Sequence, residues 1–334
     1  MEIVMAVLVT GGCGYIGSHT VWALVERGET VVVLDDLSTG FEWAIPPEVT
    51  LIRGDVGDAA LLDRIIGEHG IDAIIHFAGS IIVPESVTDP LAYYLNNTVK
   101  SRELIAAAVR DGVKNFVFSS SAAVYGNPEV IPVPEDVALR PVSPYGSSKL
   151  MTEIMLADTA RAHDFRYAAL RYFNVAGADP KGRTGQSTKG ATHLIKVACE
   201  AHLGLRPQVQ VFGTDYDTPD GTGVRDYIHV TDLADAHVLA LGHLRSTGET
   251  LVANCGYGKG FSVLEVLRAI ERVTGEKLPV GYGPRRLGDA SSIVARVERI
   301  HQKLDWHPRW DDLETIVGHA LAWEKHLMAK NVRR

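Results

Sequence analysis

Val7-Leu8-Val9-Thr10-Gly11-Gly12-Cys13-Gly14-Tyr15-Ile16-Gly17-Ser18-His19 stands near the start of the chain. A β-branched apolar run gives way to a glycine-rich turn, and helical periodicity follows to about residue 27. That order predicts a strand, a tight turn and a helix. Gly12, Gly14 and Gly17 form a G-x-G-x-x-G spacing, and the next β-branched run, 31–34, ends on Asp35-Asp36. Glycines let backbone approach a pyrophosphate, and a helix N-terminus favours its negative charge. Asp35 can accept both hydroxyls of a ribose, and its charge repels a 2′-phosphate. The stretch predicts a dinucleotide site around Gly11, Gly14, Tyr15, Ile16, Gly17, Asp35 and Asp36, with NAD favoured over NADP.

Outward from this unit, short β-branched runs at 50–53, 73–77 and 115–119 alternate with helical periodicity, including a long helix expected over 90–111. Such alternation is the mark of βαβ units and a parallel sheet. The expected fold class is α/β, a Rossmann-type doubly wound parallel sheet. Asp55-Val56 follows the third strand, where a carboxylate could meet an adenine amine or simply cap a helix. Phe77-Ala78-Gly79 offers small residues for close backbone approach to the cofactor, or a plain turn. A sixth strand at 167–171 ends on Tyr172-Phe173-Asn174. Glycine, charge and proline then become frequent over 177–190, as in a loop crossing to another lobe. The expected division is an NAD-binding domain at 1–176 and a smaller C-terminal α/β substrate lobe at 177–334. Within the latter, about 224–255 returns to the first domain.

A second constellation lies at the end of the fifth strand. Ser119-Ser120-Ser121-Ala122-Ala123-Val124-Tyr125 follows the apolar Phe116-Val117-Phe118, which puts the serines at a strand's carboxyl end. Ligands bind at that edge of open α/β sheets. Ser143-Pro144-Tyr145-Gly146-Ser147-Ser148-Lys149 then opens a helix, with Tyr145 and Lys149 four residues apart on one face. An ammonium near a phenol stabilises the phenolate, so the pair can trade a proton with a substrate hydroxyl. Ser121 could hydrogen-bond the same hydroxyl. This is the layout of a carbinol–carbonyl redox site.

Composition narrows the classes. The chain has 334 residues, 46% of them hydrophobic and 22% charged, with a net charge of −8. An acidic balance argues against a general nucleic-acid or anionic-membrane binder. Three widely spaced cysteines, Cys13, Cys199 and Cys255, fit a reducing cytosol and show no zinc spacing, so no metal is expected. The first residues read as a strand rather than a signal peptide, and no window approaches the roughly 18 apolar residues of a membrane span. The expected location is the cytoplasm.

With these motifs in hand, the chain resembles the extended short-chain dehydrogenase/reductase superfamily, and within it the UDP-glucose (UDP-galactose) 4-epimerase family. Besides the stretches above, His76-Phe77-Ala78-Gly79, Arg171-Tyr172-Phe173-Asn174 and Asp220-Gly221-Thr222-Gly223-Val224-Arg225-Asp226-Tyr227-Ile228-His229-Val230 carry the likeness. The resemblance implies Tyr145 as base, Lys149 holding the nicotinamide ribose and tuning Tyr145, and Ser121 binding the sugar hydroxyl. It implies that Asn96, Ser119, Tyr172 and Phe173 also line the cofactor cleft. Asn174, Leu194, Phe212, Arg225, Tyr227, Arg286 and Asp289 would line a UDP-sugar pocket, the two arginines meeting the diphosphate or forming ordinary ion pairs. Helices near 90–111 and 145–163 pair subunits in the family, which implies a homodimer.

Two positions depart from the family pattern. Ile81 stands where a lysine near the cofactor phosphates is frequent. His193 stands where an asparagine is usual, either facing the diphosphate in its place or lying on the surface. Sister dehydratases and decarboxylases carry carboxylates directly after the serine, because elimination needs a further acid and base. Here Ala122-Ala123 cannot transfer protons. Oxidation and reduction remain, which is all that 4-epimerisation of UDP-galactose to UDP-glucose needs. Ile293 is aligned with the position facing the sugar's C2 substituent, between the tyrosine that excludes N-acetyl sugars and the small residue that admits them. UDP-N-acetylhexosamine or a UDP-pentose therefore stands as an alternative substrate. A non-catalytic NAD-binding regulator is the rival class, although such proteins typically lose the tyrosine or lysine kept here.

Overall fold

The strands of the first half are apolar at almost every position, so both of their faces must be covered. The computed structural model describes residues 5–286 and 289–330. Its first elements are β1 (Ala6–Thr10), α1 (Tyr15–Glu26), β2 (Thr30–Asp35), β3 (Thr50–Arg53), α2 (Ala59–His69) and β4 (Ile71–His76). There follow α3 (Val83–Thr88), α4 (Pro90–Tyr93), α5 (Lys100–Arg110), β5 (Asn115–Ser119), α6 (Pro144–Ala162), β6 (Arg166–Tyr172) and β7 (Asn174–Ala176). The remainder is α7 (Leu194–His202), β8 (Val209–Phe212), β9 (Val224–His229), α8 (Val230–Thr247), β10 (Leu251–Cys255), β11 (Gly260–Ser262), α9 (Val263–Thr274), β12 (Val280–Gly283), β13 (Ser292–Ile293), α10 (Glu298–Lys303) and α11 (Leu313–Ala329).

Seven strands form one sheet in the order β10-β6-β5-β4-β1-β2-β3, and every neighbouring pair in it is parallel. Side chains alternate between its two faces. Val7, Val9, Ile75, Val117 and Leu170 enter a core with α1 and α8, while Ala6, Leu8, Ile74, Phe116 and Ala169 enter another with α2, α5 and α6. This is the doubly wound arrangement expected from the sequence. The winding direction reverses between β1 and β4, whose last residues, Thr10 and His76, are paired. Thr10 Oγ1 lies 2.7 Å from His76 Nδ1, fixing that junction at the edge where ligands bind in such sheets.

A smaller group follows β6. β9 is paired by β7, β11 and β13, β8 pairs with β12, and α7, α9 and α11 pack on one another. β9 runs directly into α8, which lies against α1, β5 and β6.

The long helix expected over 90–111 is interrupted. Asp89 caps a new start at Pro90, a π-helical stretch spans Tyr94–Val99, and only then does α5 begin. The reason is visible in Asn97, whose carbonyl takes hydroxyl hydrogen bonds from Ser101 and Thr152. Its side chain reaches back to the backbone of Ser80 (2.7 and 2.9 Å). Side-chain bonds of this kind compete with the regular ladder, and π-turns gather at functional sites.

Candidate active site

The glycine turn is shaped by close approach. Gly11 has φ of +70°, and a Cβ there would lie 2.6 Å from the Ala78 nitrogen. A Cβ on Gly17 would collide with the Gly11 carbonyl oxygen, so α1 can sit tight on β1 only with glycine at that point. Gly14 gives α1 no side-chain cap. The first N–H groups of the helix, from Tyr15 and Ile16 onward, are thus open to an anion. That cradle fits a dinucleotide pyrophosphate.

Asp35 ends β2 in a buried position. Its two oxygens accept the Cys13 and Leu37 N–H groups, each at 2.8 Å. A carboxylate offers about four acceptor positions, so two stay available for ribose hydroxyls. Burial holds its carboxyl above the ordinary range, and the two N–H bonds oppose that shift. Asp36 is exposed and holds the Ser38 N–H and hydroxyl. Asp55 is exposed too, paired with Lys100 at 2.6 Å and accepting the Gly57 N–H. The helix-cap alternative for it is corrected: Asp58 caps α2. Val56 is buried in the core beneath. Phe77 and Ala78 both donate N–H groups to the Thr10 carbonyl, which folds the end of β4 around the end of β1. A Cβ on Gly79 would lie 2.9 Å from Asn97 Oδ1, so the close approach there is to protein. Asn96 bonds Ser80 Oγ at 2.9 Å, and Ile81 beside it is exposed.

The serines and the tyrosine–lysine pair come together at the end of β5. Ser121 caps a short 3₁₀ turn, Ala122–Val124. Ser143 caps α6, with Pro144 in its first turn. A Cβ on Gly146 would lie 2.5 Å from the Ala123 carbonyl oxygen, so α6 touches that turn and sets Tyr145 beside Ser121. Tyr145 and Lys149 are 6% and 3% exposed. Burial, and next Tyr172, push the Tyr145 phenol above its ordinary value, and the Ser121 hydroxyl pulls the other way. Burial draws Lys149 down to about 8, opposed by the charge of Glu153. Lys149 Nζ donates to the Ser119 carbonyl at 3.0 Å. The shared helix face is as expected, and the flexible ammonium finds the carbonyl at the strand end.

The small sheet gathers four of the residues expected at a sugar nucleotide, Asn174, Arg225, Tyr227 and Ile293. Asn174 pairs with Tyr227, and Ile293 pairs with Arg225. Phe173 is buried with Ala122 and Val124, and Ile293 packs on the same cluster. Tyr172 ends β6, beside Phe173. The Arg286 guanidinium lies 3.8 Å over the Phe212 ring, and the Asp289 N–H reaches the Arg286 carbonyl. Arg225 bonds the Val224 carbonyl and forms no ion pair among the described contacts. His193 precedes Leu194 at the start of α7, with its ring 6.3 Å from that of Tyr15 in the glycine turn. Its side chain is half-buried, and burial, then Lys196, draws its pKa to about 4. Among the described residues no cluster of metal-ligating side chains forms, and no helix is long and apolar enough to cross a membrane.

A buried set behind the serines escaped the sequence reading. Glu153, Arg171, Ser120 and Tyr125 form one hydrogen-bonded group. The available signal was spacing: Glu153 repeats the four-residue step from Tyr145 to Lys149.

A family model described as the NAD dependent epimerase/dehydratase family matches residues 7–256. The chain belongs to this family. A UDP-glucose 4-epimerase of Azospirillum brasilense is 59% identical over 96% of this chain and 92% of its own length. Among solved structures, a UDP-glucose 4-epimerase from Brucella ovis in complex with NAD superposes with a TM-score of 0.92 at 45% identity, covering 95% and 97% of the two chains. Another, from Stenotrophomonas maltophila with bound NAD and formylated UDP-arabinopyranose, gives 0.94 at 40% identity, covering 98% and 99%.

Proposed function

We propose that this chain interconverts UDP-galactose and UDP-glucose by inverting C4 through a transient 4-keto sugar, with NAD tightly held. The observation that carries this reading is the buried phenol of Tyr145 against the Ser121 hydroxyl at the end of β5, followed by Ala122-Ala123 with no group able to drive elimination. Support also comes from the family and from relatives named as UDP-glucose 4-epimerases over nearly the whole chain.

NAD, when bound, supplies a cationic hydride acceptor at the sheet edge. The Gly11–Gly17 turn and the open N-terminus of α1 take its pyrophosphate, and Asp35 takes the adenine ribose. Lys149 takes the nicotinamide ribose, with its ammonium leaning on the Ser119 carbonyl. Positive charge near Tyr145 favours the phenolate that burial alone disfavours. Tyr145 then accepts the C4 hydroxyl proton while Ser121 hydrogen-bonds the same oxygen. The keto sugar, tethered by UDP, turns its other face inward, and Tyr145 returns the proton. Arg225 and Arg286 hold the diphosphate, and Phe212, Asn174, Tyr227, Leu194, Asp289 and His193 complete the wall. Ile293 sits by the sugar's C2 substituent. A second reading, action on a UDP-pentose or UDP-N-acetylhexosamine, is favoured by that aliphatic residue and by the UDP-arabinopyranose carried by one relative.

The division proposed is residues 1–176 for NAD and 177–334 for the UDP-sugar, with about 224–255 returning to the first. The location proposed is the cytoplasm, in keeping with three free, buried cysteines. The assembly proposed is a homodimer across α4, the π-helical stretch and α6, where Leu91, Leu95 and Ile154 are 76%, 56% and 52% exposed. The deciding experiment is incubation with UDP-galactose, adding no nucleotide, and chromatographic resolution of the sugar nucleotides. An equilibrium mixture with UDP-glucose is expected; no conversion with or without added NAD overturns the reading.

A further inference from the structure

Tyr145, Lys149 and Glu153 follow one another at four-residue steps, so they share one face of α6. Opposite that face lie Ser119, Ser120 and Ser121, and each meets one of the three. The Ser119 carbonyl takes Lys149 Nζ at 3.0 Å, Ser120 Oγ donates to Glu153 Oε1 at 2.5 Å, and the Ser121 hydroxyl acts on Tyr145. Glu153 is clamped from the other side by Arg171, whose Nε and Nη2 donate to its two oxygens at 3.0 and 2.6 Å. Arg171 Nη1 in turn donates to the Tyr125 hydroxyl and the Glu135 carbonyl, and Tyr125 donates to Asn254 of β10. A buried ion pair is weak evidence for stability, because apolar replacements are often no worse. Its placement under the serine run is what asks for an explanation.

We propose that Glu153 is a positioning residue for the redox site, holding Ser120 so that the Ser119 carbonyl and Ser121 hydroxyl stay in register with Lys149 and Tyr145, and standing as the counter-charge to the Lys149 ammonium. The inference rests on the proposed roles of Tyr145, Lys149 and Ser121. Burial draws Lys149 down, and Glu153 is the charge that opposes it. The other groups facing Lys149 offer no such charge: Tyr145 on its own helix is held neutral by burial, and His76 on β4 is held neutral at about 3, by burial and next by Lys149 itself. From β5 come only the Phe118 ring, 4.9 Å from Nζ, and the Ser119 carbonyl. Arg171 on β6 spends its charge on Glu153.

The test uses two variants of the full chain. Ser120→Ala keeps the Glu153–Arg171 pair and removes one hydrogen bond. It is expected to lower kcat for UDP-galactose about 10-fold with KM and bound NAD unchanged. Glu153→Gln removes the counter-charge alone and keeps an amide oxygen to accept from Ser120. It is expected to shift the alkaline fall of kcat to lower pH by roughly one unit, the size of effect a nearby opposite charge exerts. A merely structural role would change the melting temperature and leave the pH profile where it was. If Ser120→Ala retains parental kcat, or folded Glu153→Gln keeps the parental pH profile, the proposal is overturned. Should Glu153→Gln not fold, Ser120→Ala alone decides. Tyr145→Phe serves as the control: an active Tyr145→Phe sinks the base itself, whatever Glu153 does.

Discussion

At the scale of single residues, the site is decided by what burial does to charge. Tyr145 needs a polar partner to change protonation state inside an apolar wall, and Ser121 is the partner at hand. Replacing Tyr145 with phenylalanine removes the proton carrier and little volume. Turnover of UDP-galactose should fall by a factor of roughly 10² to 10⁴, the usual worth of a positioned acid–base group. The NAD released on denaturing the variant, measured by absorbance, should equal that of the parent. Reading residues one by one, the sequence put Tyr145 and Lys149 on one helix face and Ser121 at a strand end. The Ser119 carbonyl beside Lys149 was not legible there, because which acceptor a four-carbon side chain finds depends on carbonyls supplied by another element.

At the scale of elements, the site depends on how closely α6 approaches the turn after β5. Gly146 is the point of contact, facing the Ala123 carbonyl. A methyl group there has no flexible side chain to push aside, only the Ala123 backbone and the rigid Pro141 ring. Gly146→Ala should therefore displace the start of α6 and lower kcat at least 10-fold, through the sensitivity of proton transfer to misplacement. The α1 cradle is untouched, so bound NAD should persist; an alanine variant with parental kcat would show that the contact is slack. The interruption of the 90–111 helix belongs to this scale as well. Asn96-Asn97 was visible in the sequence, but the hydroxyls of Ser101 and Thr152 that compete for the Asn97 carbonyl come from a neighbouring turn and from α6.

At the scale of the whole molecule, two consequences follow from what is exposed and what is buried. Leu91, Leu95 and Ile154 leave an apolar strip on the outer side of α4, the π-helical stretch and α6. Leu95→Glu would place a charge in that strip. In light scattering after size exclusion the parent should run as a dimer and the variant as a monomer; a monomeric parent removes the basis for the assembly. The second consequence concerns acid. Burial draws His19 and His237 to about 4 and His76 to about 3, and His193 to about 4 with Lys196 adding to burial. Each of these histidines takes up a proton on unfolding between pH 6.5 and its lowered value. Stability should therefore fall as pH drops from about 6.5 toward 4. Asp226, raised to about 6 by burial, contributes in the opposite sense, as do Asp35, Asp111 and Asp232, also raised by burial; against them stand the four histidines above together with His229, His319 and His326, all lowered by burial. Melting temperatures taken at pH 7 and pH 5 check this; equal values would mean that the histidines are hydrated in solution.

The sequence by itself determined the doubly wound sheet, because strand–glycine turn–helix order and uninterrupted β-branched runs reflect local sterics and the need to bury both faces. It also determined the glycine turn before α1 and the shared face of Tyr145 and Lys149 on α6, since the residues of each lie within a few positions of one another along the chain. Only the tertiary structure decided that Ser120, Glu153, Arg171 and Tyr125 form one buried group, that Arg225 faces Ile293, and that His193 faces Tyr15. Those contacts join residues far apart in sequence. A polar side chain does not announce which distant partner will satisfy it once water is gone, and that partner is fixed by packing alone.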